Sequence, residues 1–164
     1  MFLSIVYIQY WLVVLERRIV VNTIIILLCL YSLYFIIGST LAPIFSDFKM
    51  YALADKMRFL YANSCHQQPD RSFWILGYPI ALCCRCYGVY FSTFIYGIFV
   101  VIRKIKLPWK IFFSIFSIVF IDIFLNLKII DTSNIIRFLA GILIGILFID
   151  VLYKLLNIKN GEEK

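Results

Sequence analysis

Four long apolar stretches, separated by short polar segments, dominate the chain. They cover residues 19–44, 80–102, 109–127 and 135–156, and Pro43 marks the end of the first. Each is close to the roughly 20 apolar residues that a helix needs to cross a bilayer. The pattern therefore predicts four membrane-spanning helices, the last two of which are joined by a short polar turn.

The first 18 residues form a segment of their own. They are apolar up to Leu15, a run that is too short to span a bilayer comfortably, and the polar sequence Glu16-Arg17-Arg18 then follows. Trp11 and two tyrosines in this run are residue types that favour the membrane interface. We interpret the segment as an interfacial lead-in to the first span, with disorder as the alternative.

Residues 46–64 contain enough polar side chains to leave the membrane. Their apolar members recur at helical spacing: Met50, Leu53, Ala54, Met57, Leu60 and Tyr61. Ser46 is suited to begin such a helix as its N-cap, and Asn63 is suited to end it. The spacing predicts an amphipathic helix that lies on the bilayer surface or on top of the bundle.

The composition agrees with a membrane location. Hydrophobic residues make up 63% of the chain and the mean hydropathy is +0.95, well above a soluble domain. The net charge of +7 does not indicate nucleic-acid binding, because the basic residues stand mostly beside apolar stretches, as membrane topology requires. We expect a single all-α membrane domain over residues 1–164, with four transmembrane helices and an outer-face amphipathic helix. Its expected partner is the lipid bilayer, with no nucleic acid, and the sequence does not identify a protein partner.

Lysine and arginine are distributed unequally between the two sides of the predicted bundle. One side collects Arg17, Arg18, Arg103, Lys104, Lys106, Lys110, Lys154, Lys159 and Lys164. The other side has Lys49, Lys56, Arg58, Arg71 and Lys128. Because cytoplasmic segments are the richer in these residues, we expect a multi-pass protein of the cell membrane with both termini in the cytoplasm and residues 65–86 outside.

Thiol and imidazole groups are concentrated within residues 65–86. This segment holds the only histidine, His66, and four of the five cysteines. Cys83 and Cys86 are three residues apart in the first turns of the second predicted span, so they share one helical face. The helix dipole favours the thiolate form at that position, which is the form that binds metals and attacks disulfides.

The segment 65–79 carries Pro69, Gly77 and Pro79, which predict a loop that ends at the first turn of the next helix. Such a loop can fold back over the face that carries the C-x-x-C pair. Three cysteines and one histidine form a common tetrahedral zinc shell. The pattern therefore predicts a zinc site built from Cys65, His66, Cys83 and Cys86.

The same thiols allow two other interpretations. Cys65 can form a structural disulfide with Cys83 or Cys86, or two of these thiols can cycle in a quinone-linked membrane thiol–disulfide oxidoreductase. A third class is a non-catalytic scaffold or transporter subunit. Cys84 and Cys29 are expected to be packing residues.

Charged side chains inside the apolar stretches are expected to face the bundle, because they are costly against lipid. Asp122 and Arg137 flank a short turn, which predicts an ion pair between them. Arg71 and Arg85 lie at the same level, and with Gln67 they are expected to face a metal site or its substrate. A pair that only pins helices together is the alternative.

Two blocks of residues resemble a domain-of-unknown-function family of small prokaryotic membrane proteins, over residues 62–145. The first block is Cys65-His66-Gln67, Pro69, Arg71-Ser72-Phe73 and Cys83-x-Arg85-Cys86-x-Gly88-x-Tyr90, and the second is Asp122, Asn134, Arg137, Gly141 and Gly145. Cys84 stands where the family often has a small residue, and a D-G-x-T-Q-type run after Asp122 is missing here. The resemblance implies a membrane protein with these site residues and brings no catalytic activity with it.

Overall fold

The structure is a computed structural model that describes residues 2–128 and 132–158, and most of these are helical. Its elements in chain order are α1 Phe2–Asp47, α2 Tyr51–Ala62, a 3₁₀ turn Pro69–Arg71, β1 Ser72–Ile75, β2 Tyr78–Cys83, α3 Cys84–Arg103, α4 Trp109–Lys128 and α5 Asn134–Ile158. Three stretches are long and apolar enough to cross a membrane: Arg18–Asp47, Cys84–Arg103 and Asn134–Leu156. The middle of the predicted 128–134 turn and residues 159–164 lie outside the described residues.

The first predicted span is longer at both ends than the sequence indicated. Helix α1 runs without a break from the predicted lead-in, whose side chains over residues 2–14 lie outside the described part, to Asp47. Pro43 does not end it but is buried inside it, since neighbouring segments in a bundle compensate for the lost backbone bond. Ser46 is likewise not an N-cap, because its hydroxyl donates to the Ala42 carbonyl at 3.0 Å within α1.

Helix α2 folds back onto the end of α1 through Tyr61, which is fully buried. The Tyr61 hydroxyl donates to the Tyr34 carbonyl at 3.4 Å, above Gly38, where a Cβ atom would collide with that hydroxyl. Asn63 ends the helix as predicted. Because Gly38 has no side chain, α1 leaves room for the Tyr61 ring, which anchors α2 at that position.

The predicted apolar stripe of α2 is only partly turned inward. Ala54 and Tyr61 are buried and Met57 is half-buried, whereas Met50 and Leu60 are exposed to 47% and 53%. A helix of mixed burial at the end of a bundle is consistent with the predicted packing on top of the other helices.

Helices α3 and α5 run parallel and make the most extensive interhelical contact. Gly88 faces Gly141, and Gly145 faces Ser92 one turn further along. A Cβ atom at Gly141 would collide with the Arg85 carbonyl oxygen, so the G-x-x-x-G pair Gly141 and Gly145 lets two backbones meet within the bundle. Because α3 and α5 are parallel, both begin at the same end of the molecule.

Residues 72–83 form an antiparallel β-hairpin, which the sequence analysis did not predict. Ile75 pairs with Tyr78 across Leu76 and Gly77, whose φ angles are +53° and +79°, as a type I′ turn requires. Pro79 lies opposite Trp74 in the ladder and not in a helical turn. The second span therefore begins at Cys84 and not at residue 80.

The end of the bundle remote from the hairpin is closed by a buried ion pair, which we call the Asp150 clasp. Asp150 is fully buried and lies 2.6 Å from the Lys154 ammonium one turn later. Its other oxygen accepts the Leu107 backbone N–H at 2.9 Å, and Lys154 donates to the Leu107 carbonyl at 2.8 Å. The clasp thereby fixes the α3–α4 connection against α5.

Candidate functional site

Three of the predicted ligand residues meet at the hairpin end of the bundle. The sulfur atoms of Cys65, Cys83 and Cys86 all lie within 4.8 Å of one another, and we call this group the thiol trio. Cys65 is buried, and the other two are half-buried. All five cysteines are free thiols, and both Cys84 and Cys29 are buried outside the trio.

Each thiol of the trio comes from a different element. Cys65 follows α2, and its N–H donates to the carbonyl of the anchored Tyr61 at 3.0 Å. Cys83 is the last residue of β2 and also the N-cap of α3, with extended backbone angles. Cys86 lies in the first turn of α3. The packing of α2, the hairpin and α3 thus brings the three sulfurs together.

Cys65 is the most extensively hydrogen-bonded thiol of the trio. Its sulfur accepts backbone N–H groups from Cys83 at 3.1 Å and Gln67 at 3.5 Å. Hydrogen bonds from the Cys83 and Cys86 thiols, followed by these N–H groups, hold the pKa of Cys65 well below its usual range, although burial opposes the shift. The pKa of Cys83 is raised, chiefly because its thiol donates to Cys65. These hydrogen bonds favour the thiolate form of Cys65 over that of Cys83.

Gln67 stabilises the turn that follows Cys65. Its φ angle of +51° is in the left-handed region, and its side-chain amide donates to the Arg58 carbonyl at 2.6 Å on α2. The side chain therefore holds the turn after Cys65 in place, while the backbone N–H reaches the sulfur.

His66 is separated from the thiol trio although it follows Cys65 directly. Its side chain is exposed, and it is not among the ligand atoms within 4.8 Å of one another. It does line the same cavity as the three thiols. The structure therefore assembles three of the four predicted ligands and leaves the imidazole on the cavity wall.

A cavity of about 470 Å³ opens beside the thiol trio. Its lining consists of the trio together with Ser64, His66, Gln68, Arg71, Arg85, Ile123 and Arg137. Three of these residues are arginines, and they come from the 3₁₀ turn, the first turn of α3 and the first turn of α5. Gln68 and Ser64 were not among the predicted site residues, since neither has a distinctive spacing.

Asp122 forms an ion pair with Arg85, whose guanidinium lies 2.9 Å from the carboxylate. The sequence analysis predicted a pair between Asp122 and Arg137 instead. Arg137 is 8% exposed and donates to the Asn134 side chain at 3.3 Å, and its pairing with Asp122 stays a prediction. The sequence did contain an indication of this partner, because Arg85 lies within the C-x-R-C sequence that carries Cys83 and Cys86.

Two further predicted residues have supporting positions. The Asn134 amide lies 3.3 Å from the carbonyl oxygens of Asp70 and Ser72, so it ties the start of α5 to the turn that carries Arg71. Tyr90 lies one turn beyond the trio on α3 and stacks on Phe35 with ring centroids 4.4 Å apart. Neither residue lines the cavity.

Comparison with known proteins gives a family but no activity. Residues 65–158, more than half of the chain, match the model of a family described as predicted membrane protein (DUF2085). An uncharacterized protein of Methanocaldococcus jannaschii is 28% identical over 109 residues, which cover 58% of this chain and 70% of the relative. One from Methanothermobacter thermautotrophicus is 32% identical over 94 residues, covering 55% and 83% respectively. No solved structure matches the chain.

Proposed function

The chain belongs to the DUF2085 family of predicted membrane proteins, and we propose that it is a zinc-binding membrane protein whose metal is held by Cys65, Cys83 and Cys86. Membership confirms the resemblance to small prokaryotic membrane proteins of unknown function. The observation that carries the proposal is the mutual approach of three sulfur atoms to within 4.8 Å.

The donor set is suited to zinc. Thiolate sulfurs favour soft or borderline metals, and three sulfurs bound to one tetrahedral zinc lie about 3.8 Å apart at zinc–sulfur distances of about 2.3 Å. The trio needs only small side-chain movements to reach that spacing. His66, which lines the same cavity as the trio, would be the candidate for the fourth ligand. If His66 binds, the site is closed and structural; if it does not, the site is open and fit for catalysis.

The placement in the membrane is part of the proposal. Helix α4 joins the three candidate spans as a fourth, because it is 20 residues long and mostly apolar. Helix α2 lies as an amphipathic helix at the outer interface, and the thiol trio faces the extracytoplasmic side. Labelling with a membrane-impermeant thiol reagent, using single-cysteine reporters at Lys56 and Asn160, tests the orientation. Labelling in intact cells at Asn160 but not at Lys56 would contradict it.

Metal analysis of the purified protein tests the site. We expect about one zinc per chain, most of which is lost in Cys86→Ala and Cys83→Ala. Cys84→Ala and Cys29→Ala are the matched controls, since both cysteines are buried outside the trio, and they should keep their metal. His66→Ala distinguishes an open site, which keeps its zinc, from a closed one, which loses it.

The approach of the three thiols also favours one alternative, a quinone-linked thiol–disulfide oxidoreductase. In that reaction two thiols would form a disulfide and pass two electrons and two protons to a quinone, which becomes a quinol. Absence of zinc, together with two cysteines that resist alkylation until they are reduced, would replace the metal proposal with this one. If the protein has neither zinc nor such a reducible disulfide, the third class, a non-catalytic scaffold or transporter subunit, becomes the favoured function.

A further inference from the structure

We propose that the connection between α3 and α4 binds acidic phospholipids of the surrounding bilayer through their headgroup phosphates. This segment, residues 103–110, carries four basic side chains, Arg103, Lys104, Lys106 and Lys110, and we call it the basic connection. It lies beside the Asp150 clasp, at the end of the bundle remote from the hairpin. The inference is therefore independent of the proposed metal site.

The basic connection has no carboxylate partners among the described residues. All four basic side chains are exposed, and no ion pair joins any of them to an aspartate or glutamate in the part of the chain that the structure describes. Asp150 is fully buried and already paired with Lys154, and Glu16 on α1 forms no ion pair with them. The described residues therefore do not neutralise this group of positive charges.

The arginines of the hairpin end are arranged differently. Each of three arginines there faces a carboxylate, in the ion pairs Arg58–Asp55, Arg71–Asp70 and Arg85–Asp122. A neighbouring carboxylate cancels part of the attraction that an arginine has for an outside anion. In the basic connection that cancellation is missing for four basic side chains that are close together in sequence.

The basic connection lies at the level of the lipid headgroups. The candidate span α3 ends at Arg103, so the basic residues follow directly on the residues that would cross the hydrocarbon. Ile102, Ile105 and Trp109 alternate with them and are exposed to 68%, 44% and 55%. Tryptophan favours the membrane interface, and a cluster of basic residues next to a span attracts acidic lipids. A lipid can satisfy both kinds of side chain, whereas a soluble anion would leave the apolar ones uncovered.

The Asp150 clasp fixes the backbone of the basic connection. The Leu107 N–H donates to Asp150 at 2.9 Å, and the Leu107 carbonyl accepts from Lys154 at 2.8 Å. The Lys104 N–H donates to the Val100 carbonyl at 2.9 Å, which ends α3. A backbone that is held before binding loses little conformational entropy when a headgroup binds. The basic side chains are therefore presented from a preformed loop.

Fluorescence quenching by brominated lipids tests the proposal on the full-length protein. The substitutions Trp11→Phe and Trp74→Phe leave Trp109, within the basic connection, as the single tryptophan. The protein is reconstituted into bilayers of phosphatidylcholine and phosphatidylglycerol, with bromine on the acyl chains of one lipid or the other. The ratio of the two quenching values gives the relative binding constant of the lipids at Trp109. We expect a preference of about fivefold for phosphatidylglycerol at low salt, which disappears in about 1 M salt, where exposed charges are screened.

Variants locate the lipid site. The double variant Lys104→Gln, Lys106→Gln should lower the preference to about twofold, because half of the charge is lost. Neutralising Arg103 and Lys110 as well should abolish it. Lys104→Arg, Lys106→Arg keeps the charge and should keep the preference. Lys49→Gln, Lys56→Gln is the matched control, because it removes two exposed lysines from the hairpin end, and it should leave the preference unchanged.

The proposal is overturned by equal quenching from the two lipids at low salt, or by a preference that neither salt nor the glutamine variants reduce. A preference that the arginine variant loses as fully as the glutamine variant would also contradict it, since the charge is then not what binds. Circular dichroism checks that each variant is folded. The zinc content should be the same in all of these variants, so a failure here leaves the metal proposal untouched.

Discussion

The two ends of the bundle each hold a cluster of charged groups, and the clusters are built in opposite ways. In the Asp150 clasp, Asp150 is fully buried, meets Lys154 at 2.6 Å, and both side chains bond the same residue, Leu107. At the other end, the charges of Arg71, Arg85 and Arg137 surround an open space of about 470 Å³. One cluster is filled by its own partners, and the other leaves room for a ligand.

The difference shows how a buried charge can be assigned to structure or to function. A buried ion pair whose remaining oxygens and protons are all bonded locally has no capacity for a substrate. At the cavity, Arg85 pairs with Asp122 and Arg71 lies 3.7 Å from Asp70, but these pairs border an open space. We therefore expect changes in the clasp to affect folding and changes in the cavity to affect binding.

Breaking the clasp should have the largest effect on stability. Asp150→Asn leaves the buried Lys154 ammonium without its counter-charge and should lower the free energy of unfolding by about 3–5 kcal/mol. Chemical unfolding in detergent, followed by circular dichroism, measures the loss. The folded fraction should keep its zinc. The double variant Asp150→Leu, Lys154→Leu should recover most of the stability, and a loss below about 1 kcal/mol in Asp150→Asn would mean that the clasp is not structural.

A substitution in the contact between α3 and α5 tests whether a change in helix packing also affects the site at the hairpin end. Gly141→Ala places a methyl group against the Arg85 carbonyl and should cost about 1–3 kcal/mol. Because Arg85 directly precedes Cys86 on α3, the shift should also lower the zinc content. Leu139→Ala is the control, since Leu139 is exposed on the same helix. Equal stability of the two variants would show that the helices can separate at no cost.

A double-mutant cycle sharpens the assignment of Asp122. Asp122→Asn and Arg85→Gln should show a coupling energy of about 1 kcal/mol, because their side chains meet at 2.9 Å. The same cycle with Arg137→Gln tests the pair predicted from the sequence. Coupling to Arg137 as strong as to Arg85 would confirm that prediction, and strict additivity with Arg85 would mean that the observed ion pair has no energetic role.

The smallest effect is expected at Asn134. Asn134→Ala removes three long hydrogen bonds, at 3.3 Å each, and should cost about 0.5 kcal/mol. Hydrogen exchange should show faster exchange at residues 69–72 and unchanged exchange at the Asp150 clasp. Faster exchange at both ends would contradict the separation of the two clusters.

The helices and the thiol trio could be predicted because their signals are local. Apolar runs of spanning length locate the membrane helices, and the three-residue spacing of Cys83 and Cys86 places both thiols at one helix start. The hairpin could not be predicted, because its turn is Leu76-Gly77 and not Asn-Gly, and Pro79 argues against a strand. Both strands of a two-stranded hairpin are edge strands, where proline is tolerated.

Two differences between the predicted and the observed site, at His66 and at Asp122, arise from tertiary geometry. Cys65 and His66 are adjacent in sequence, yet one is buried and the other exposed, since consecutive side chains outside a helix point in different directions. Asp122 finds a partner on α3, 37 residues away, and sequence proximity favoured the neighbouring α5 instead. Neither outcome follows from spacing along the chain.

The thiol trio also has a consequence for the order of folding. Cys65 and Cys83 are 18 residues apart, and the segment between them contains the whole hairpin turn. A metal bound to both cysteines would act as a reversible cross-link that closes this loop. The free energy of metal binding, and not side-chain packing, would then offset the entropy that the chain loses when the loop closes. The supply of metal would then decide how late, and how often, the hairpin docks onto an already assembled helical bundle.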